Sequence, residues 1–284
     1  MARASDLLKG VVNVASLPGV YLRLSAVVSD PRSSAADVGR VIAEDPGLTA
    51  RLLKLVNSAM YGFPSKIETV THAISIVGTA QLQDLALATS VIRLFAKVPP
   101  TLVSMASFWR HSVAVGVTAR ALAARRREPN VERFFVAGLL HDIGRPIMFL
   151  QAPDESRAAF ARAGEGGMPL YEAEQAVFGF DHSHVGHALL EMWKLPASLR
   201  ESVQYHHHPD RAQRFPAEAA IVHVADQIVN VMRLGTSGEQ GVPPLATAAW
   251  DAVALPVAVL EDILAETERH AEAATRVMTL DAAA

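Results

Sequence analysis

Apolar residues recur along this chain at helical spacing, and sustained period-two alternation is rare, so the pattern predicts an all-α fold. Asp45-Pro46 reads as an N-cap followed by proline at the first helical position. Leu48, Leu52, Leu53 and Val56 then line one face, and that helix should end near Asn57-Ser58, followed by the turn Tyr61-Gly62-Phe63-Pro64. Ser34 with Asp37 three residues on resembles a capping box and opens the preceding helix. A long helix is expected from Ala80 to about Ala96. Pro99-Pro100 is the clearest punctuation in the chain and divides it into two packed helical lobes, 1–98 and 99–284.

Beyond that point, helices are expected at about 102–126, 131–143, 155–163, 169–178, 182–194, 197–207 and 216–234. Arg233 to Pro244 is rich in Gly, Ser and Pro and reads as an exposed loop. A last amphipathic helix, about 256–278, carries Leu260, Ile263, Leu264, Thr267, Ala271 and Ala274 on one side, a stripe expected to pack on the domain.

Composition narrows the picture. The 284 residues are half hydrophobic, enough for a sizeable core. A formal charge of -3 argues against a general polyanion binder, and nucleic acid is not an expected partner. Cysteine is absent, which excludes disulfides and thiolate metal sites and fits a reducing, cytoplasmic setting. Charges at Asp6 and Lys9 come too early for a signal-peptide core, and no uncharged apolar stretch reaches the ~20 residues needed to span a bilayer. No membrane association is expected.

Candidate chemistry centres on His141-Asp142, at the end of an apolar helix and just before Gly144. Neighbouring helical positions diverge by about 100°, too far to share one ion in mid-helix. At a helix end, with Gly144 letting the backbone turn, both side chains could reach one metal. His111, His182, His206, His207 and Asp226 lie on other helices at spacings that could complete the sphere. Imidazoles and carboxylates without sulfur suit one or two divalent ions of Fe, Mn, Zn, Ni or Co. One ion would use His111, His141, Asp142 and Asp226. Asp142 could bridge to a second held by His182, His206 and His207, an arrangement that activates water against phosphorus. The competing interpretation is that each is a hydrogen-bonded core histidine, or sits at a helix C-terminus for the dipole.

The order His111, His141-Asp142, His182, His206-His207, Asp226 resembles the HD superfamily of metal-dependent phosphohydrolases. Asp45-Pro-Gly-Leu-Thr-Ala-Arg-Leu-Leu-Lys-Leu-Val-Asn-Ser-Ala-Met-Tyr-Gly62 and Ala73-Ile-Ser-Ile-Val-Gly78 resemble the N-terminal half of the HDOD family. Phe135-Val-Ala-Gly-Leu-Leu-His-Asp-Ile-Gly144 and His182-Ser-His-Val-Gly-His-Ala-Leu-Leu-Glu-Met-Trp-Lys-Leu-Pro196 resemble its C-terminal half. Coverage runs from about Leu17 to about Pro209. The resemblance implies a bacterial, all-helical signalling or regulatory module whose second lobe is HD-like. It implies action through a signalling protein partner in trans, with the metal pocket as a structural or ligand-sensing centre. The alternative it implies is a metal-dependent phosphohydrolase with a nucleotide or other phosphoester as ligand. The related HD-GYP enzymes carry a Glu and then Asp-Gly-x-Gly-Tyr-Pro after their paired histidines. Here His208-Pro-Asp-Arg-Ala-Gln-Arg-Phe-Pro216 follows, so cyclic-di-GMP hydrolysis is not expected.

Several other features are assigned bland roles. His184 and His187 are expected on solvent, and His72 as structural. His223, three residues before Asp226, either orients a ligand or is a plain core residue. Arg120, Arg125, Arg126 and Arg127 read as a solvated face near a helix C-terminus. Arg145 could neutralise charge on a reacting phosphoryl group or could simply be on the surface. Trp109 and Trp193 read as core anchors, and Met60, Tyr61 and Phe63 as the seal between lobes. No Gly-x-Ser-x-Gly, Walker loop or Gly-x-Gly-x-x-Gly occurs, so acyl transfer on a nucleophile elbow, P-loop chemistry and Rossmann cofactor binding lack support.

Overall fold

Ser34 and Asp45 cap helices as their sequence context predicts. The Ser34 hydroxyl accepts the Asp37 N–H at 3.3 Å while the Asp37 carboxylate accepts the Ser34 N–H at 2.7 Å. Asp45 accepts the Leu48 N–H at 2.9 Å with Pro46 in the first turn. The structure, a computed structural model, describes residues 4–10, 17–95 and 102–279. Pro99-Pro100, the end of the fifth helix at Ala96, the first three residues and the alanine-rich tail lie outside the described residues.

Among the described residues every regular element is helical. The first group is α1 (Gly19–Ser29), α2 (Ala35–Ala43), α3 (Pro46–Val56), α4 (Val70–Val77) and α5 (Thr79–Leu94). Asn57 ends α3 by bonding the Leu53 carbonyl and then both the carbonyl and N–H of Ile67, which fixes the following turn. The second group starts with α6 (Met105–Arg125), α7 (Val131–Leu140) and α8 (Gly144–Gln151). It continues through α9 (Pro153–Gly166), α10 (Leu170–Phe178), α11 (His182–Met192), α12 (Ala197–Tyr205) and α13 (Pro216–Met232). Two further helices, α14 (Thr247–Val253) and α15 (Leu260–Thr279), complete it. Helices α1, α4, α8 and α14 are not anticipated by the sequence pattern: α4, α8 and α14 are short, and α1 lacks an N-capping side chain.

α6 is the central element, packed against α7, α13 and α15, and its side chains are buried over most of its length. It carries two glycine-dependent contacts. A Cβ on Gly138 would lie 2.8 Å from the Gly116 Cα, so α6 and α7 cross with backbones nearly touching. Gly144 keeps an ordinary backbone conformation, with no positive φ. Its role is close approach: a Cβ there would overlap the His182 carbonyl oxygen and lie 2.9 Å from the Gly186 amide. The chain does turn between α7 and α8, but what Gly144 supplies is a close contact between α8 and α11 rather than a glycine-only backbone conformation.

The α15 stripe packs as expected through Ile263, Thr267, Ala271 and Ala274, with Thr118 and Thr267 hydroxyls 2.9 Å apart, while Leu264 points outward. Trp109 and Trp193 are buried. Of the arginine cluster, Arg127 is exposed as expected, but Arg120, Arg125 and Arg126 are not on a solvated face. Arg120 pairs with buried Glu132 at 2.9 Å and lies over the Tyr61 ring, and Arg125 pairs with Glu266 at 2.8 Å. Arg126 pairs with Glu128 and donates to the Ala252 and Val253 carbonyls. Each of these three guanidinium groups ties α6 to another segment. Met60 is buried and Tyr61 stacks on Phe63 beneath Arg120. His72 is exposed.

Asp84 on α5 is mostly enclosed and accepts from Asn130 Nδ2 at 2.8 Å. Burial raises its pKa to about 6, only partly offset by that hydrogen bond. The folded chain therefore holds this proton more tightly than the unfolded one. The resulting stability is present below about pH 4 and is lost as pH rises through 6. Asp84→Asn keeps an acceptor for Asn130 and removes the charge. It is expected to stabilise the protein by roughly 1–2 kcal/mol at pH 7.5 and by nothing at pH 3.5, measured as the difference in unfolding free energy across pH.

Candidate metal centre

Helix ends and helix crossings bring the predicted residues together. His111 lies in the second turn of α6, His141 and Asp142 follow the end of α7, and His182 opens α11. His206 and His207 follow α12, and Asp226 lies within α13. Asp142, His182, His206 and His207 form one group whose potential ligand atoms all lie within 4.8 Å of one another, and His111, His141 and Asp226 form a second. Asp142 joins them. Its Oδ1 lies 2.8 Å from His182 Nε2 and 3.7 Å from His206 Nε2, and its Oδ2 lies 3.1 Å from His141 Nε2 and 3.8 Å from His111 Nε2. Asp226 Oδ1 lies 3.2 Å from His111 Nε2 and 3.6 Å from His141 Nε2.

The orientation of the rings is what a cation site requires. His141 Nδ1 donates to the Gly138 carbonyl, and His206 Nδ1 to the Val203 carbonyl, each at 2.7 Å. His182 Nδ1 bonds the Glu174 carboxylate at 2.5 Å. With the outer nitrogen committed as donor, each Nε2 presents its lone pair inward. His182 Nε2 faces His206 Nε2 at 3.3 Å and His207 Nε2 at 3.1 Å. His141 Nε2, both nitrogens of His111 and Asp142 Oδ1 have no hydrogen-bond partner although buried. Buried imidazoles converging lone pair to lone pair are costly unless a cation lies between them. The residues present therefore fit a divalent ion.

The charge balance agrees. Burial disfavours ionised Asp142, yet Arg145, His141 and His182 hold its carboxyl well below the usual range. Asp226 is likewise buried, and the adjoining His111 and His141 imidazoles hold its carboxyl well below the usual range. Burial pulls His141 and His182 down, but the carboxylates outweigh it and raise them to about 10 and about 9. His206 and His207 are lowered by burial, His207 strongly, which keeps them neutral and able to ligate. Protons on His141 and His182 thus occupy the place that a metal ion would take.

Around this cluster is a charged network that the sequence reading did not assign. Arg145 is fully buried. It lies 3.3 Å from Glu174, 2.6 Å from Glu239, 3.5 Å from Asp142 and 2.6 Å from the Ser237 hydroxyl. Both sequence options for Arg145, a surface position and a charge aimed at substrate, are corrected. Its donors are consumed in orienting Asp142 and, through Glu174, His182. The segment from Arg233 to Pro244 is also not simply exposed. Ser237 is 1% exposed, and Glu239 bonds both Arg145 and the Leu170 N–H. Gly235 packs against the Ser107 carbonyl and the His111 N–H, where a side chain would not fit. This loop straps the histidine–aspartate cluster because its Glu239 carboxylate helps to neutralise the buried guanidinium.

His223 orients a candidate ligand through the backbone. Its Nδ1 donates to the His206 carbonyl at 2.7 Å and its Nε2 accepts the Ala246 N–H at 2.9 Å. His184 pairs with Asp181 at 2.9 Å and His187 approaches the Arg200 carbonyl, so neither joins the cluster. One signal could have found Glu174: it is a lone acid on the apolar stripe Leu170, Ala173, Val177 of α10.

A family model for the HDOD domain matches residues 14–209. An uncharacterized protein from Treponema pallidum (strain Nichols) is 23% identical over 239 residues, covering 84% of this chain and 46% of that protein. The chain thus spans less than half the length of this relative. An HDOD domain protein of unknown function from Geobacter sulfurreducens has a similar structure, with TM-score 0.75 and 24% identity over 93% of this chain and 91% of that one. A Shewanella amazonensis SB2B protein described provisionally as a phosphohydrolase also matches at TM-score 0.75, with 24% identity over 96% of this chain and 97% of that one. At these identities the two structures speak for the fold. No helix among the described residues is long and apolar enough to cross a membrane. With the family model covering most of its length, this chain belongs to the HDOD family.

Proposed function

We propose that this protein is an HDOD-type regulatory module whose buried histidine–aspartate cluster is a metal centre used for structure and ligand sensing, with its signal passed to a protein partner. The observation that carries this reading is Asp142, whose two oxygens face two separate groups of histidines. His111, His141, Asp142 and Asp226 would hold one divalent ion, and His182, His206 and His207, bridged by Asp142, a second. The ligand side chains are between 0% and 8% exposed, and strapping by the 233–244 segment favours a sensing or structural centre over rapid turnover. Elemental analysis of tag-free protein tests the centre, with at least one divalent ion per chain expected. Chelation should lower the melting temperature, because a ligand bound only by the folded state stabilises it. Metal-free protein whose melting is unmoved by added Mn, Fe or Zn would reject the centre, and pull-down from extract that retains nothing would reject the partner.

A second reading, a metal-dependent phosphohydrolase, is favoured by the completeness of the residue set and by the description given to the Shewanella protein. A divalent ion there would supply Lewis-acid activation of water. The chain's own contribution is to fix the ligands: Glu174 orients His182, and Arg145 holds Glu174 and Asp142. Absence of hydrolysis across a phosphoester panel with Mn or Fe, or equal hydrolysis by Asp142→Ala, would exclude this reading.

A further inference from the structure

Every candidate metal ligand except His207 is 3% exposed or less, and His207 is 8% exposed. His207 therefore marks the side from which anything could approach. The Tyr171 ring covers it, stacked at 4.1 Å between centroids and 17° between planes. Tyr171 also lines a cleft of about 470 Å³, within the ~300–1,000 Å³ typical of small-molecule sites. Its walls are the sequence neighbours of the candidate ligands. Asp181, Ser183 and His184 flank His182, and Tyr205 and His208 bracket His206-His207. The cleft is thus built on the two segments that position the second group of ligands.

Its chemistry is specific. The rings of Tyr171, Tyr205 and His208 face it, His208 standing edge-on to Tyr171 at 5.6 Å. Gln204 brings an amide with both donor and acceptor. Its two carboxylates are already engaged: Asp181 caps α11 and pairs with His184, and Glu172 accepts from the Tyr171 hydroxyl at 3.3 Å. Arg211, in the short turn Pro209–Arg211, lines the same cleft and has no carboxylate partner among the described residues. A guanidinium without an acid, beside aromatic faces and an amide, matches an anionic group carried on a planar heterocycle.

We propose that this cleft binds a nucleoside monophosphate, with Arg211 holding the phosphate and the Tyr171, Tyr205 and His208 rings facing the base. The proposal deepens the reading of the buried cluster as a ligand-sensing centre, and it rests on that reading for its consequence. Occupancy of the cleft bears directly on Tyr171, which touches His207, and so reports the ligand to the cluster.

The test is calorimetric titration of the full chain with adenosine and uridine 5′-monophosphates and with inorganic phosphate, with metal content measured on the same samples. At least one mononucleotide should bind with a dissociation constant in the ~1 µM–1 mM range. Arg211→Gln should weaken it at least about tenfold, as loss of a charge-assisted contact does, with metal content and the circular dichroism spectrum unchanged. Arg211 is exposed, so its replacement leaves the core intact. No binding by either nucleotide, equal affinity for Arg211→Gln, or inorganic phosphate binding as tightly as the nucleotide would overturn the proposal. Protein that holds metal and ignores nucleotide overturns the cleft alone. Metal-free protein with Arg211-dependent nucleotide binding supports the cleft and rejects the metal centre.

Discussion

Arg145→Met is expected to destabilise the protein by about 3–5 kcal/mol, the scale for removing one partner from a buried ion network. The guanidinium is enclosed by Glu174, Glu239 and Asp142, and all three acids are nearly inaccessible to water. Those carboxylates raise the Arg145 pKa above its ordinary value despite its burial. Methionine matches much of the volume but leaves three acids facing one another. Arg145→Lys should recover only part of the loss, because an ammonium cannot reproduce the fork that reaches Ser237 and Glu239 together. Urea unfolding of the two variants measures both effects. A loss below about 1 kcal/mol for Arg145→Met would mean that the 233–244 segment opens freely and is not a strap.

Asp142→Asn is expected to bring bound metal to background at both halves of the cluster, while costing the metal-free protein less stability than Arg145→Met. The difference follows from which neighbours can adjust. Asp142 faces His141, His182 and Arg145. The two histidines owe their raised pKa values partly to its charge and can shed their protons when it goes, whereas Arg145 keeps Glu174 and Glu239. The remaining cost is that of an imperfectly satisfied buried polar group, about 1–3 kcal/mol. For metal, the substitution removes the acid that both halves share, and a neutral amide is a poor replacement for a bridging carboxylate. Elemental analysis after loading with Mn or Zn checks this. Undiminished stoichiometry would show that Asp142 is not the bridge.

The sequence by itself determined that the chain is helical, because apolar spacing and local capping are properties of neighbouring residues. Ser34 with Asp37, and Asp45 with Pro46, fold as their immediate context dictates. It also contained the candidate ligands, since imidazoles and acids at helix ends stand out against an apolar background. Tertiary structure alone decided that they converge. His111 and Asp226 meet only because α6 and α13 pack together, and His141 reaches them only because Gly116 and Gly138 let α6 and α7 approach. The fate of Arg145 was equally illegible: its partners Glu174, Ser237 and Glu239 are distant in sequence, the last two within a Gly- and Ser-rich stretch that reads as solvent-exposed. Local periodicity reports which face of a helix avoids water. It carries no information about which distant charge must follow a guanidinium into the core, because that pairing is set by the long-range electrostatics of burial.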